Sequence, residues 1–462
     1  MKYLLKFNIE DFRLWFGGGT HLHPRYIIKF GPRRNQVAKS YKSIVVLFNN
    51  NLDAATKKKV KMFVEHLKNG LEERRIFPGF NAIYGTNIDI EQVAFDHSGY
   101  DNPEKIFEAF NSACSDVTKC FPVIILPRVH RSLYDSMYYR TKAEFLKQST
   151  TSQVFTIDLL NDKKNYRWSL LPTSIQIFTK LGGVPYILER GIVDSPDIQV
   201  FIIGLGISYH PLYKEQRVGY VLIFDESGDW QFLEAGSITS EDMESGKDVD
   251  TLAEKIAGLL NIAIAKLANK IQAGRAVLII HYSGKEISSR EENAIAKALQ
   301  ELKLSQKILA VYVLKIKKSD IAIYDLDSPF NINGSETGYP EIGTVFKLKR
   351  DVYLLVTTGY FMVNREVKSN IWRGLPSSLL ISRHREMEKI NEDITEINDE
   401  ILLASVFGLS RLNYTSVQNP VSTEPITTRY SREIAWLTLR LQEATQSKSE
   451  FATAFRTRMW FI

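Results

Sequence analysis

The sequence predicts an α/β protein built from two successive domains. Its 462 residues are 44% apolar, which is enough to bury the cores of two or three domains. Up to about residue 190, continuous apolar runs rich in β-branched residues alternate with helical patterns, as in a doubly wound parallel sheet. Beyond the polar segment 194–197, three apolar runs follow one another with only short turns between them, which indicates antiparallel strands.

The composition argues against several classes of protein. The formal charge of +6 and the pI near 8.9 are only moderately basic, so an anionic partner is expected to meet a local patch. The two cysteines, Cys114 and Cys120, have no CxxC spacing, which argues against a structural zinc site or a disulfide framework. No run of about 18 apolar residues is present, and Lys6 interrupts any signal-peptide core. We therefore expect a soluble, cytoplasmic protein.

The segment 1–40 is rich in turns and aromatic side chains and is too short to form a core of its own. We expect this lead-in, residues 1–40, to pack on the domain that follows, at residues 41–195. In that domain the apolar runs predict buried strands, and the patterns between them predict helices. The predicted strands are 43–48, 121–126 and 152–157, and the predicted helices are 53–73 and 132–148.

The second domain is placed at residues 196–462. Its first strands are predicted at 200–208, 218–224 and 230–233. A long helix at 250–273 follows, and then a strand at 276–280 that ends at His281. Three antiparallel strands, a helix and a strand beside the first are the opening order of an RNase H-like domain. The other predicted strands are 308–314, 321–325, 342–348 and 351–357, and the other predicted helices are 288–302, 385–406 and 430–446.

One cluster of polar residues in the first domain is a candidate anion site. Tyr138 and Lys142 are four residues apart in the predicted helix 132–148, so they share one face of it. A following strand and the next helix add further donors, which are Gln153, Gln176 and Lys180. The set is rich in donors, cationic and free of carboxylates, which suits a terminal phosphate. The alternative is that these are ordinary surface residues whose spacing carries no meaning.

Several short motifs occur in order along residues 40–462. They are Tyr138-x3-Lys142, Gln153 and Lys180-Leu181-Gly182-Gly183 in the first domain, and 203–208, 281–284, 343–346, 356–359, 409–414, 430–436 and the apolar segment 459–462 in the second. In this order they resemble the MID and PIWI domains of Argonaute proteins. The resemblance implies a Rossmann-like MID domain at 41–195 followed by an RNase H-like PIWI domain at 196–462.

The resemblance also implies roles for the polar cluster. It is expected to hold the 5′-phosphate of a small guide nucleic acid, with Lys142 and Lys180 neutralising the charge. Tyr138 would stack on the first base or contact the phosphate, and Gln153 and Gln176 would donate hydrogen bonds. Stacking of an unpaired base on an aromatic ring is worth about 1–3 kcal/mol, which agrees with this assignment.

A metal ion is the second implication for this site. In prokaryotic relatives the C-terminal carboxylate reaches the guide phosphate and helps to hold a divalent cation. Here that group belongs to Ile462, which ends an apolar segment. Oxygen ligands and a phosphate suit Mg²⁺. Ordinary core packing is the other interpretation of the same apolar segment, and the two are compatible.

The second domain departs from the cleaving members of the family, whose site needs several carboxylates to hold two metal ions. The expected ligand positions fall at Gly206, Ser283 and about Arg432, and none of these side chains is an anion. We therefore expect an inactive PIWI domain and no enzyme activity. The alternative is an RNase H-like metal-dependent nuclease that uses other carboxylates. The candidates for that role are Asp225, Glu241, Glu286 and Asp320.

Only the short lead-in precedes the first MID strand, which is the layout of short prokaryotic Argonautes. Such proteins bind a guide RNA or DNA and a complementary target, with DNA the expected target here. They signal to a separately encoded effector, such as a TIR or Sir2-type protein, a nuclease or a membrane protein. The resemblance thus implies a role in prokaryotic defence against plasmids or phage. A plain α/β nucleotide-binding protein is less well supported, because neither G-x-G-x-x-G nor a Walker lysine is present.

Overall fold

The structure is a computed structural model of the chain. It describes residues 2–128, 136–192, 198–209, 217–238, 248–271, 275–283, 289–302, 307–332, 335–364, 366–369, 376–390, 397–417, 419–445 and 458–462. The predicted boundary between the two domains, near residues 194–197, lies outside these ranges. Within them, no helix is long and apolar enough to cross a membrane.

The lead-in and the first domain occupy the described part of the chain up to Ile192. The lead-in elements are β1 (Lys2–Lys6), β2 (Leu14–Trp15), β3 (Thr20–His21) and α1 (Ile27–Phe30). The first domain contains β4 (Ser43–Asn49), α2 (Ala54–Asn69), α3 (Phe80–Tyr84), β5 (Asp89–Phe95), α4 (Glu104–Ala113), β6 (Cys120–Leu126), α5 (Met137–Lys147), β7 (Gln153–Thr156), α6 (Ile157–Asn161), α7 (Tyr166–Lys180) and β8 (Ile187–Leu188).

The first domain is the parallel, doubly wound sheet that the sequence predicts. Its four strands lie in the order β5-β4-β6-β7, and every neighbouring pair is parallel. Strand β4 is buried on both faces, because Ile44 and Val46 pack into one core while Val45 and Leu47 pack into another. A continuous apolar run is what such a strand requires. The fold class is therefore confirmed in this half.

In the described ranges, the second domain contains the remaining strands and four long helices. Its elements are β9 (Ile198–Tyr209), β10 (Arg217–Asp225), β11 (Trp230–Ile238), α8 (Asp248–Ala268), β12 (Arg275–Ser283), α9 (Ser289–Gln300), β13 (Ile308–Lys318), β14 (Asn331–Ile332), β15 (Ser335–Glu336), β16 (Thr344–Lys349), β17 (Val352–Val356), β18 (Tyr360–Val363), β19 (Glu366–Ser369), β20 (Ser378–Arg383), β21 (Lys389–Ile390), α10 (Asp399–Leu409) and α11 (Ile426–Thr445).

A large mixed sheet organises this domain, in the order β1-β16-β17-β20-β13-β12-β9-β10-β11. Strands β9, β10 and β11 are antiparallel, whereas β12 lies parallel to β9 and β13 lies parallel to β12. Residues of α8 and α9 share one core with the sheet, and residues of α10 and α11 share the core on its other face. This order and layering confirm the RNase H-like prediction.

The lead-in differs from the prediction, because it contacts both domains. Strand β1 adds to the edge of the large sheet by pairing antiparallel with β16. Strand β2 pairs with β8 of the first domain. The buried guanidinium of Arg411 also donates hydrogen bonds to the carbonyl oxygens of Phe12 and Leu22 in the lead-in. The lead-in therefore ties the two domains together.

Two predicted elements of the second domain are wrong. Residues 321–325 form no strand. The strand that pairs with the end of β13 is β20, whose other edge pairs with β17. The helix predicted at 385–406 is confined to α10. The residues before it form a short 3-10 turn and the strand β21, and residues 391–396 lie outside the described ranges.

Candidate functional site

Helix α5 presents two of the predicted site residues on one face. The Ser136 side chain caps the helix by accepting a hydrogen bond from the backbone N–H of Tyr139, at 3.5 Å. One turn later, the Nζ of Lys142 lies 5.5 Å from the centroid of the Tyr138 ring. Tyr139 itself points toward α11, where its ring packs edge-on against Trp436 at 5.8 Å. Helix α11 therefore supports α5 from behind.

The second lysine comes from the end of α7. The Nζ of Lys180 donates hydrogen bonds to the carbonyl oxygen of Ser152 at 3.1 Å and to the Oε1 of Gln153 at 2.6 Å. The Nε2 of Gln153 donates to the Oε1 of Gln176 at 3.2 Å. Since Lys142 and Lys180 also share a hydrogen bond, the structure brings four of the predicted side chains into one connected network.

The two lysines form an unusual electrostatic arrangement. Lys142 is only 4% exposed and Lys180 only 1%. Burial lowers the pKa of Lys142 to about 8, although its hydrogen bond to Lys180 acts in the opposite direction. Burial also lowers the pKa of Lys180 well below its usual value, and the nearby charge of Lys142 lowers it further. In the part of the chain that the structure describes, no carboxylate pairs with either lysine.

This arrangement suits the binding of a small anion. Two desolvated ammonium groups without a carboxylate gain strongly from a ligand that supplies the missing negative charge. The carboxamide of Gln176 can supply N–H donors as well. The amide nitrogen of Gln153 already donates to the carbonyl oxygen of Val154 and to the Oε1 of Gln176. Because the lysines are nearly enclosed, the geometry favours the end group of a ligand over a phosphate in the middle of a chain.

The last predicted site residue, Ile462, ends the C-terminal segment of the second domain. It is buried in the main core, next to Phe461, whose ring packs against Tyr430 at 5.7 Å and Trp230 at 6.0 Å. Its carboxylate forms no ion pair with Lys142, Lys180 or any other cation of the described ranges.

The same C-terminal segment nevertheless approaches the end of α7. Arg458 and Met459 line a cavity of about 200 Å³ together with Thr179, Gly182 and Gly183, directly beside Lys180 in sequence. The C-terminal segment and the end of α7 thus share one concave surface.

At Gly206, the first of the expected ligand positions, the backbone of the second domain leaves no space for a larger side chain. A Cβ atom added to Gly206 of β9 would lie 2.3 Å from the carbonyl oxygen of Ser431 in α11. Gly204, one step earlier on the same face, would meet the carbonyl oxygen of Thr427 at the same distance. Glycine is needed at both positions so that α11 can approach β9 closely.

The residues at the other two expected ligand positions make ordinary structural contacts. Ser283 is the buried last residue of β12, and residue 284 of the same motif lies outside the described ranges. Arg432 forms a bidentate ion pair with Glu424, with both N–O distances at 2.7 Å. A cation held in this way by a carboxylate is a poor replacement for a metal ligand.

Two of the alternative carboxylates can be located. Asp225 is the half-buried last residue of β10, where it accepts hydrogen bonds from the backbone and hydroxyl of Ser227 and from the side chain of Gln231. Burial raises the pKa of Asp225. Asp320 is exposed at the end of β13. Glu241 and Glu286 lie outside the described residues.

Sequence reasoning missed three contacts at these sites. The carbonyl of Ser152 and the direct contact between the two lysines leave no signal in a single sequence, because they depend on how β7 meets α7. The close approach of Ser431 to Gly206 could have been suspected, since Gly204 and Gly206 alternate along an otherwise apolar strand.

Solved structures of Argonaute proteins share this fold. Clostridium butyricum Argonaute bound to a guide DNA and a 19-mer target DNA is 15% identical, over 95% of this chain and 53% of its own, with a TM-score of 0.62. Aquifex aeolicus Argonaute is 18% identical, over 95% of this chain and 55% of its own, with a TM-score of 0.55. This chain spans about half the length of these structures. No family model and no curated protein sequence matches it.

The close contact at β9 gives a testable prediction. Gly206→Ala should lower the free energy of unfolding by about 1–3 kcal/mol, because the methyl group would overlap a backbone oxygen that cannot move aside. Gly258→Ala in α8 is the matched control, since no described atom lies within 4 Å of a Cβ built there. It should be stabilising by about 0.5–1 kcal/mol, as alanine replaces glycine inside a helix. Urea denaturation measures both, and equal effects would contradict the packing described here.

Proposed function

We propose that this chain binds the 5′-phosphorylated end of a guide nucleic acid and uses the guide to recognise a complementary target strand. The observation that carries the proposal is the buried contact between Lys142 and Lys180, with no carboxylate beside them among the described residues. The shared fold supports it, because the Clostridium butyricum protein of that fold is bound to a guide DNA and a target DNA.

The proposed mechanism assigns a task to each side chain. The terminal phosphate accepts hydrogen bonds from the Nζ atoms of Lys142 and Lys180 and restores their charged forms. Gln176 adds amide donors, which orient the phosphate, and Gln153 positions Lys180 by accepting a hydrogen bond from its Nζ. Tyr138 offers its half-buried ring to the first base. Base pairing by the rest of the guide then selects the target, and binding weakens as salt rises because phosphate contacts release counterions.

The side chains of this site do not by themselves fit a magnesium ion. Mg²⁺ prefers oxygen ligands, whereas two lysines dominate the charge here and repel a cation. The described residues contain no group of three or more His, Cys, Asp or Glu arranged for a metal. A structural magnesium ion at the guide 5′ end therefore stays a prediction that depends on the carboxylate of Ile462 and on the ligand phosphate.

We further propose that the second domain holds the guide and target without cleaving the target. The packing at Gly206 supports this, because a carboxylate there would overlap α11. The pairing of Arg432 with Glu424 supports it at a second ligand position. A separately encoded effector and a role in defence against plasmids or phage complete the proposal, as the resemblance to short Argonautes implies. The short form of Argonaute stays a prediction.

The first prediction of the proposed function concerns the terminal phosphate. Lys142→Met with Lys180→Met keeps two long side chains in the core but removes both charges. The ratio of affinities for 5′-phosphate and 5′-hydroxyl strands should fall about 100-fold, because two charge-assisted hydrogen bonds are lost. The exposed pair Lys163→Met with Lys164→Met is the matched control and should leave the ratio unchanged. Fluorescence anisotropy with both kinds of strand measures it.

An equal loss of affinity for the two kinds of strand would contradict the phosphate assignment. If both strands lose affinity by the same factor, the lysines contact the backbone of the strand and not its terminal phosphate. Thermal unfolding of each variant without ligand separates either result from a loss of folding.

The second prediction concerns cleavage. Guide-loaded protein incubated with a labelled complementary target and Mg²⁺ or Mn²⁺ should give no product on a denaturing gel. A metal-dependent product that disappears in Asp225→Asn or Asp320→Asn would contradict this prediction. It would establish the alternative, an RNase H-like nuclease with unorthodox carboxylates.

A further inference from the structure

A second surface with the chemistry of a nucleic-acid contact lies on the lead-in and the start of α7. Three large aromatic side chains are exposed there, with Trp168 at 38%, Tyr26 at 38% and Trp15 at 37%. Arginine side chains lie between them. We name this the aromatic–arginine surface, and its members are Trp15, Arg25, Tyr26, Arg33, Arg167 and Trp168.

Each exposed tryptophan of this surface has at least one arginine guanidinium group over its ring. The Cζ of Arg33 lies 3.6 Å from the centroid of the Trp15 ring. At Trp168 the Cζ of Arg25 lies 5.1 Å and that of Arg167 lies 5.0 Å from the ring centroid. Such contacts fix the planes of both groups, so less conformational entropy is lost when a ligand binds.

A row of stacked rings lies in the same lead-in segment. Tyr26 stacks on His21 with a centroid distance of 3.3 Å and an interplanar angle of 13°. On its other side Tyr26 stacks on Phe30 at 6.0 Å, and the Nζ of Lys29 lies 5.1 Å from the Phe30 ring. Rings and cations therefore alternate across the surface.

The surface carries a surplus of positive charge. The pKa of Arg25 is lowered by its burial and by the neighbouring charge of Arg75. The pKa of His21 is lowered to about 4, mainly by burial and then by Arg13 and Lys29. Among the described residues, the carboxylate paired with a member of the surface is Glu73, 3.5 Å from Arg167. One exposed carboxylate does not neutralise these cations.

We infer that the aromatic–arginine surface binds an extended single-stranded nucleic-acid segment, with unpaired bases on the exposed rings and phosphates at the guanidinium groups. Proteins that hold single strands without reading their sequence combine stacking platforms with cationic side chains in this way. Trp168 and Lys180 lie twelve residues apart on α7, which is about 18 Å along the helix axis. The surface is thus separate from the terminal-phosphate site and goes beyond the proposed function.

The test uses the whole chain and unstructured single-stranded DNA and RNA that carry either a 5′-phosphate or a 5′-hydroxyl. The variant is Trp168→Ala with Arg25→Gln and Arg167→Gln. The matched control is Tyr324→Ala with Lys57→Gln and Lys61→Gln, which removes one exposed ring and two exposed cations elsewhere. Fluorescence anisotropy over a range of salt concentrations gives the affinity and its salt dependence.

We expect the variant to bind long strands about tenfold or more weakly than the wild type and the control do. The slope of log affinity against log salt should become shallower by about two, because two phosphate contacts are lost. The ratio between 5′-phosphate and 5′-hydroxyl strands should not change. This separates the result from a failure of the phosphate site, which alters that ratio.

If the triple variant binds with unchanged affinity and salt slope, the inference is overturned, and a protein partner becomes the better explanation of the exposed rings. A loss no larger than that of the control would overturn it as well. If the triple variant does not fold, the exposed single substitutions Trp168→Ala and Arg167→Gln carry the test. Trp168→Phe, which keeps an aromatic face, should restore most of the affinity that Trp168→Ala loses.

Discussion

The contact between Lys142 and Lys180 is the interaction on which the functional account depends. Two lysine side chains are nearly enclosed and in contact with each other, and the described residues offer them no carboxylate. Burial lowers both pKa values, so the folded protein disfavours the protonated, charged forms of the two lysines. Such a pair becomes favourable when an anion arrives, which is why a terminal phosphate explains it better than a role in stability does.

Helix α11 connects this site to the second domain. One part of the helix packs so closely on β9 that a Cβ atom at Gly204 or Gly206 would overlap its backbone. A few residues later, Trp436 supports Tyr139 behind the phosphate site. The packing that leaves no room for a metal-binding carboxylate at Gly206 also holds α5 in place. The close packing at Gly206 and the support of α5 thus follow from the same helix.

Much of the fold could be predicted because its signals are local. The continuous apolar run of β4 marks a strand buried on both faces, and the spacing of Tyr138 and Lys142 placed them together on α5. Features that depend on distant partners could not be predicted. Strand β5 has a mixed polar sequence and joins the sheet only through β4, and β1 finds its partner β16 in a distant part of the chain. The mutual contact of the lysines belongs to this second kind.

Proton uptake on binding tests the central claim most directly. Calorimetric titration near pH 8 in two buffers of different ionisation enthalpy counts the protons that accompany each strand. There a 5′-phosphate is already a dianion, whereas burial lowers the pKa of Lys142 to about 8 and lowers the pKa of Lys180 well below its usual value. We predict net proton uptake with a 5′-phosphorylated strand, smaller at lower pH, and clearly less with its 5′-hydroxyl counterpart. Equal uptake for the two strands would contradict the claim that these lysines receive the terminal phosphate.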